Sequence, residues 1–239
     1  SVNVPVQAHP GVPVRALEPI QPVTVTQPAD GVHVFDLGQN FAGFVRLKVA
    51  APAGTAIVMR FAERLNPDGS IYTTNLRSAR ATDTYICRGG GTEVWQPRFT
   101  FHGFQYVEVT GLPAEPDRDT IAGIPLSSDT PFAGSFDCSD ETARRLFLNA
   151  FWTQLANFIE VPTDCPQRDE RLGWTGDAQI YIRTATYNTD VAAFFTKWLV
   201  DLVDARLDDG AFPDVAPRLV ATGGGTAAWA DAGLVCPWT

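Results

Sequence analysis

The sequence predicts an all-β domain that leads into the opening of an α-helical domain. Three observations predict it: hydrophobic alternation with a period of two from Val32 to about Asp137, a helical period after that, and turn residues spaced closely through the first part.

Residues 1–31 come first, rich in Pro and Val and weak in pattern, and read as an extended arm or the tail of a preceding domain. In residues 32–137, Val45, Leu47 and Val49 alternate with Arg46 and Lys48, and Ile57, Met59 and Phe61 alternate with Val58 and Arg60, as half-buried strands require. Asn66-Pro67-Asp68-Gly69, Arg88-Gly89-Gly90-Gly91 and Gly111-Leu112-Pro113 mark turns around further strands expected at Thr82–Cys87, Val94–Phe101 and Gln105–Thr110. Short strands at such spacing predict a β-sandwich. The aromatic segment Phe101 to Tyr106 is expected to supply sheet core.

From residue 138 onward the period is helical. Phe147, Phe151, Leu155 and Phe158 form one stripe behind Asp140 and Glu141, and Pro162 bars its continuation. A second helix is expected from about Asp177 to Tyr187. A third should start near Thr189 as N-cap, bury Val191, Phe194, Phe195, Trp198, Leu202 and Val203, and end at Asp208-Asp209-Gly210. Short connections suggest antiparallel hairpins, and the pattern at Ala227–Val235 suggests that more helices follow. A start at Ser1 without Met and a stop at Thr239 after an apolar stretch read as part of something longer, so that residues 138–239 are a truncated helical domain.

Composition narrows the function. With 45% hydrophobic residues the chain can bury a proper core, and a net charge of −9 opposes nucleic acid as a partner. No apolar run of membrane length and no charged-then-apolar leader occur in it. Cys87, Cys138, Cys165 and Cys236 lack metal-type spacing and read as free structural thiols, and Cys165 makes a poor nucleophile beside carboxylates. The Gly89–Gly91 and Gly223–Gly225 runs match no phosphate-binding spacing.

The chemistry concentrates in DCPQRDERLGWTGDAQ, residues 164–179, on the connection between the first two helices. Asp164, Asp169, Glu170 and Asp177 are interleaved there with Arg168, Arg171 and Trp174. Carboxylates, guanidiniums and an indole are the parts needed to protonate a leaving oxygen and grip a polyhydroxylated ligand. Glu170 is the candidate general acid, with the three aspartates as neighbouring negative charge and Trp174 as an apolar wall. The plainer alternatives are a surface Glu170 paired with Arg168 or Arg171, helix capping by Asp164 and Asp177, an arginine partner for Asp169, and core tryptophans at 174 and 229. Gly173 and Gly176 are expected to permit tight turns around Trp174.

This run closely resembles the catalytic signature of the bacterial α-L-rhamnosidases of glycoside hydrolase family 78. The resemblance extends through residues 35–49, 62–91 and 99–111 and covers roughly Val32 to the C-terminus. It implies a concanavalin-like β-sandwich followed by the first helices of an (α/α)6 barrel, and inverting hydrolysis of terminal non-reducing α-L-rhamnose. Glu170 then resembles the general acid, while Asp164, Arg168, Trp174 and Asp177 resemble residues that hold the rhamnose and Trp229 an aromatic wall. Asp169 is assigned no direct contact, and the general base is expected beyond Thr239. No cofactor and no metal are implied, since two acids on one loop with competing arginines make a poor calcium cage. The expected partners are rhamnosylated small molecules or polysaccharides, and a homodimer of the complete protein is compatible with the resemblance. The rival reading is a noncatalytic rhamnose-binding or structural protein that keeps the pocket.

Overall fold

The computed structural model describes residues 8–219 and 223–239, so the first seven residues of the arm lie outside the described residues. The β-domain contains β1 (Val14–Ala16), β2 (Thr24–Ala29), β3 (Val32–Ala50), β4 (Ala56–Ala62), β5 (Arg64–Leu65), β6 (Ile71–Tyr72), β7 (Thr82–Ile86), β8 (Thr92–Trp95), β9 (His102–Thr110) and β10 (Ile121–Ser128). Apart from the β5–β6 hairpin they form one antiparallel sheet in the order β1-β10-β3-β9-β4-β7, with β2 and β8 also on β3.

The sheet curls because the 19-residue β3 changes both neighbours along its length. It begins between β2 and β9 and ends between β10 and β8. A register shift lies between Asp36 and Phe41, where Gly38 takes φ +71° and its N–H donates to Asp36 Oδ1 at 2.7 Å. At Gly43 a Cβ would stand 2.1 Å from the Ile124 carbonyl oxygen, so only glycine lets β10 cross there. The curl closes on Phe35, Phe41, Val45, Leu47, Ile57, Met59, Phe61, Phe104 and Val107, all buried. The alternation at 45–49 and at 57–61 is present as expected.

Other expectations are corrected. The arm is tied into the sheet, through β1 on β10 and β2 on β3. Strand character expected at Val94–Phe101 ends at Trp95, just before Pro97, which has no N–H for a ladder.

The helical part begins with α1 (Glu141–Asn157), capped by Asp140, whose Oδ1 accepts from the Ala143 N–H at 3.0 Å. Its stripe is buried at Leu155 and followed by buried Phe158. Phe147 and Phe151 instead meet Phe136 and Phe132 from the linker, at ring separations of 5.7 and 5.3 Å. A two-residue hairpin, β11 (Phe158–Ile159) and β12 (Val161–Pro162), stops α1 before the proline is reached. Then come α2 (Thr175–Asn188), α3 (Ala192–Asp204) and α4 (Ala232–Trp238).

Thr189 closes α2 rather than opening α3, because its buried hydroxyl accepts from Gln154 Nε2 at 2.8 Å. The Asn188 amide donates to the same Gln154 at 2.8 Å, which fastens the end of α2 to α1. Helix α3 stops at Asp204, ahead of the 208–210 turn. Phe158, Ile182, Phe194, Phe195, Trp198 and Leu202 form the core here, while Leu146, Ile180, Val200, Val203, Leu234 and Trp238 stay exposed. No described helix is long and apolar enough to cross a membrane.

Candidate active site

The run 164–174 crosses from β12 to α2 as an irregular loop braced at several points. The Leu172 N–H donates to Asp164 Oδ1 at 2.8 Å, and the Asp164 N–H returns a bond to the Leu172 carbonyl at 3.1 Å, which pinches the loop into a closed bow. Asp164 is therefore a loop clasp and not a helix cap. Arg171 takes φ +55° and sends its guanidinium to the carbonyls of Pro166 (3.0 Å) and Phe101 (2.7 Å), lying 4.1 Å from the centre of the Phe101 ring. It belongs to the junction with the β-domain, and no carboxylate pairs with it among the described residues.

Glu170, Asp164, Arg168, Trp174, Asp177 and Trp229 all line one cavity of about 670 Å³, together with residues of α1 and α2. Sequence positions up to 65 apart thus share one wall. Glu170 is only 19% exposed; its Oε2 accepts from Arg168 Nε (3.0 Å) and Arg77 Nη1 (3.2 Å), and Arg168 Nη2 lies 2.8 Å away in the same ion pair. The expected pairing with Arg168 is real and sits inside the cavity wall. Asp169 turns away from the cavity and accepts a hydrogen bond from the Ser78 hydroxyl of the β-domain, which holds its carboxyl below the ordinary range. It is not one of the charges facing Glu170.

Asp177, in the first turn of α2, has its carboxyl pushed above the ordinary range by desolvation first and then by the negative charges of Asp164 and Glu170. Burial, with Asp164 beside it, pushes the Cys165 thiol up to about 12, so it stays protonated at neutral pH. Asp164, Cys165 and Glu170 bring ligand atoms within 4.8 Å of one another. The protonated thiol and the two guanidiniums on Glu170 make that trio a poor cation cage.

The two glycines act by close approach rather than by turning. A Cβ on Gly173 would stand 2.2 Å from the Ala216 carbonyl oxygen, which also accepts from Trp198 Nε1 at 3.0 Å. A Cβ on Gly176 would meet the Trp229 indole at 2.8–3.0 Å, so its absence is what seats Trp229 against α2. Trp229 is 37% exposed, as a wall residue should be and a core residue is not. Sequence reasoning missed Arg77, Asn157 and Tyr181. Tyr181 lines the cavity, donates to the Ala150 carbonyl at 2.9 Å and is pushed up to about 12 by burial. Its position one turn after Asp177 was the available signal.

Comparison with known proteins follows the same division of the chain. Residues 26–127 match the model of the bacterial α-L-rhamnosidase concanavalin-like domain, and residues 131–239 match that of the bacterial α-L-rhamnosidase six-hairpin glycosidase domain. An α-L-rhamnosidase of Streptomyces avermitilis is 52% identical over 226 residues, 95% of this chain and 22% of that protein. A crystal structure of S. avermitilis α-L-rhamnosidase complexed with L-rhamnose superposes with a TM-score of 0.95 at 52% identity, over 97% of this chain and 22% of that one. The α-L-rhamnosidase structure from Dictyoglumus thermophilum gives 0.93 at 39% identity, over 95% of this chain and 26% of that one. The chain thus spans about a quarter or less of the length of these relatives. Matched from its β-domain through its helices, the chain belongs to the bacterial α-L-rhamnosidases of glycoside hydrolase family 78.

Proposed function

We propose that the protein containing this chain hydrolyses terminal non-reducing α-L-rhamnosides with inversion, and that Glu170 is the general acid. The observation that carries this reading is the convergence of Glu170, Asp164, Arg168, Trp174, Asp177 and Trp229 on one cavity of about 670 Å³, ample for a sugar ring. Two guanidiniums occupy Glu170 Oε2, and among the described residues no hydrogen bond reaches Oε1. Oε1 is therefore the oxygen left free to face the leaving group. As the bond from the anomeric carbon to the leaving oxygen breaks, its electron pair stays on that oxygen, which takes the Glu170 proton. A water attacks the anomeric carbon from the opposite face and gives its proton to a second carboxylate roughly 6.5–9.5 Å from the acid. We place that base outside residues 1–239.

Asp164 and Asp177 accept from sugar hydroxyls, Arg168 donates, and the two indoles cover the apolar face of the ring. The negative field that raises the Asp177 carboxyl also favours the positive charge that develops at the anomeric carbon. The exposed apolar side chains on the outer helix faces support further helices packing against them in a complete (α/α)6 barrel.

The test is rhamnose release from an alkyl α-L-rhamnoside, whose leaving oxygen needs a proton, by the protein encoded by the complete reading frame, beside its Glu170→Gln variant. Loss of about 10²–10⁴-fold in the variant is expected, with the β anomer of rhamnose appearing first by NMR. A variant of undiminished activity would remove Glu170 as the acid. A complete protein that binds rhamnose without cleaving any rhamnoside would establish the noncatalytic reading.

A further inference from the structure

We propose that Arg77, contributed by the β-domain, is a positioning residue for the acid, fixing Glu170 so that Oε1 meets the leaving oxygen. The inference rests on the reading of Glu170 given above. Arg77 does not line the cavity, so it acts through Glu170 and not on the sugar. Its Nη1 lies 3.2 Å from Oε2, from a residue 93 positions earlier in the chain.

The backbone points to the same role. Arg77 ends a short 3-10 turn, Thr74–Leu76, with φ 56° and ψ −119°, a region that residues with a side chain seldom occupy. The turn is held there from several sides. Leu76 is buried in the β core, Asn75 Nδ2 donates to Glu63 Oε2 at 3.0 Å, the Ala79 N–H donates to the Leu76 carbonyl at 3.1 Å, and Ser78 bonds Asp169 on the catalytic loop. Glycine would relieve the backbone at this position. Among the described residues arginine adds one ion pair, with Glu170, from a side chain that is 56% exposed, and its charge also acts on Asp169. A half-exposed ion pair stabilises a fold by less than such a backbone costs. Fold stability alone therefore argues against arginine here, and acid geometry argues for it.

With Arg168 alone on Oε2 the carboxyl can swing about its terminal bond, exchanging its two oxygens. A second guanidinium, from a different direction and a different domain, stops that exchange. An error of about 1 Å in a reacting group is worth on the order of 10²-fold in rate.

The test uses the complete protein, with Arg77→Ala, Arg77→Gly and Arg77→Lys, on two substrates that differ in their need for an acid. A 2,4-dinitrophenyl α-L-rhamnoside releases a phenolate that leaves without a proton, whereas an alkyl α-L-rhamnoside needs one. Expected are a kcat lowered about 10- to 100-fold on the alkyl substrate, dinitrophenolate release and both KM values within about threefold, and partial recovery in Arg77→Lys. Arg77→Gly relieves the backbone, and so shows the same substrate split with the fold secured. Equal losses on both substrates, a loss confined to KM, or no loss overturns the proposal. Glu170→Gln serves as reference: if it lacks the split, the acid assignment fails; if it shows the split and the Arg77 variants do not, only the positioning role fails.

Discussion

Substituting Asp164 separates two jobs that one carboxylate performs. One oxygen accepts the Leu172 N–H at 2.8 Å and so closes the loop 164–172, while the charge belongs to the cavity. Alanine removes a charge-assisted bond worth about 1.5–3 kcal/mol, which speeds exchange of the Leu172 amide about 10- to 150-fold if opening is local. Asparagine keeps an acceptor in the same place, and a neutral bond retains about 1 kcal/mol of that. It also relieves repulsion from Glu170 and Asp177, so exchange should rise at most about 2- to 30-fold over the parent, and less than in the alanine variant. Rhamnose affinity should fall about tenfold or more in both variants, because the sugar loses its charged acceptor. Loss of the Asp164 charge should also bring the Asp177 carboxyl back toward its ordinary value. Amide exchange at Leu172, calorimetric titration with rhamnose and carboxyl NMR read these three effects separately. If asparagine frees the Leu172 amide as much as alanine does, the clasp is not a hydrogen bond to this side chain. If asparagine leaves rhamnose affinity intact, Asp164 does not hold the sugar.

Asp177 carries a stability cost that depends on pH. Its folded-state carboxyl binds a proton more readily than the ordinary value of 3.8 allows, so the folded state loses ground as pH rises above about 4. Asp177→Asn should therefore raise Tm at pH 7, with a gain that shrinks toward pH 4, and weaken rhamnose binding; a gain constant across that range would contradict the assignment. Gly176→Ala places a methyl group against the Trp229 indole at 2.8–3.0 Å, where only the indole can yield. Helix propensity offsets part of the strain by about 1 kcal/mol, so the fold should persist while rhamnose affinity drops about tenfold. Unchanged affinity with Trp229 fluorescence unmoved would take Trp229 out of the sugar site.

The sequence made some of this legible for identifiable reasons. Strands with one wet face, such as Val45–Val49, announce themselves by alternation. Strand β10 does not, because Ile121, Gly123, Ile124 and Pro125 are buried on both faces and Pro125 reads as a breaker. Thr189 has the composition of a helix cap, yet Gln154 claims its hydroxyl, a partner 35 positions away that no local pattern reveals. The six cavity residues were readable because five of them fall within fourteen positions at a charge density that a loop carries only for a purpose. Arg77 and Ser78 sit in an ordinary polar stretch, and only the docking of two domains brings them to residues 169 and 170.

The partner-switching strand β3 has a bearing on synthesis. Its 19 residues emerge long before β9 and β10, which finish its pairing on either edge. At about 5–20 residues per second, the interval between completing β3 and completing β10 is roughly 4–16 s. Strand β2 already covers the first part of one edge, but the stretch that β10 will pair, Gly43–Leu47, stays open on that edge to a similar strand on a neighbouring nascent chain. A chain ending before Ile121 would leave that edge open permanently, and soluble yield should rise when initiation of translation is reduced, because fewer half-made chains then coexist.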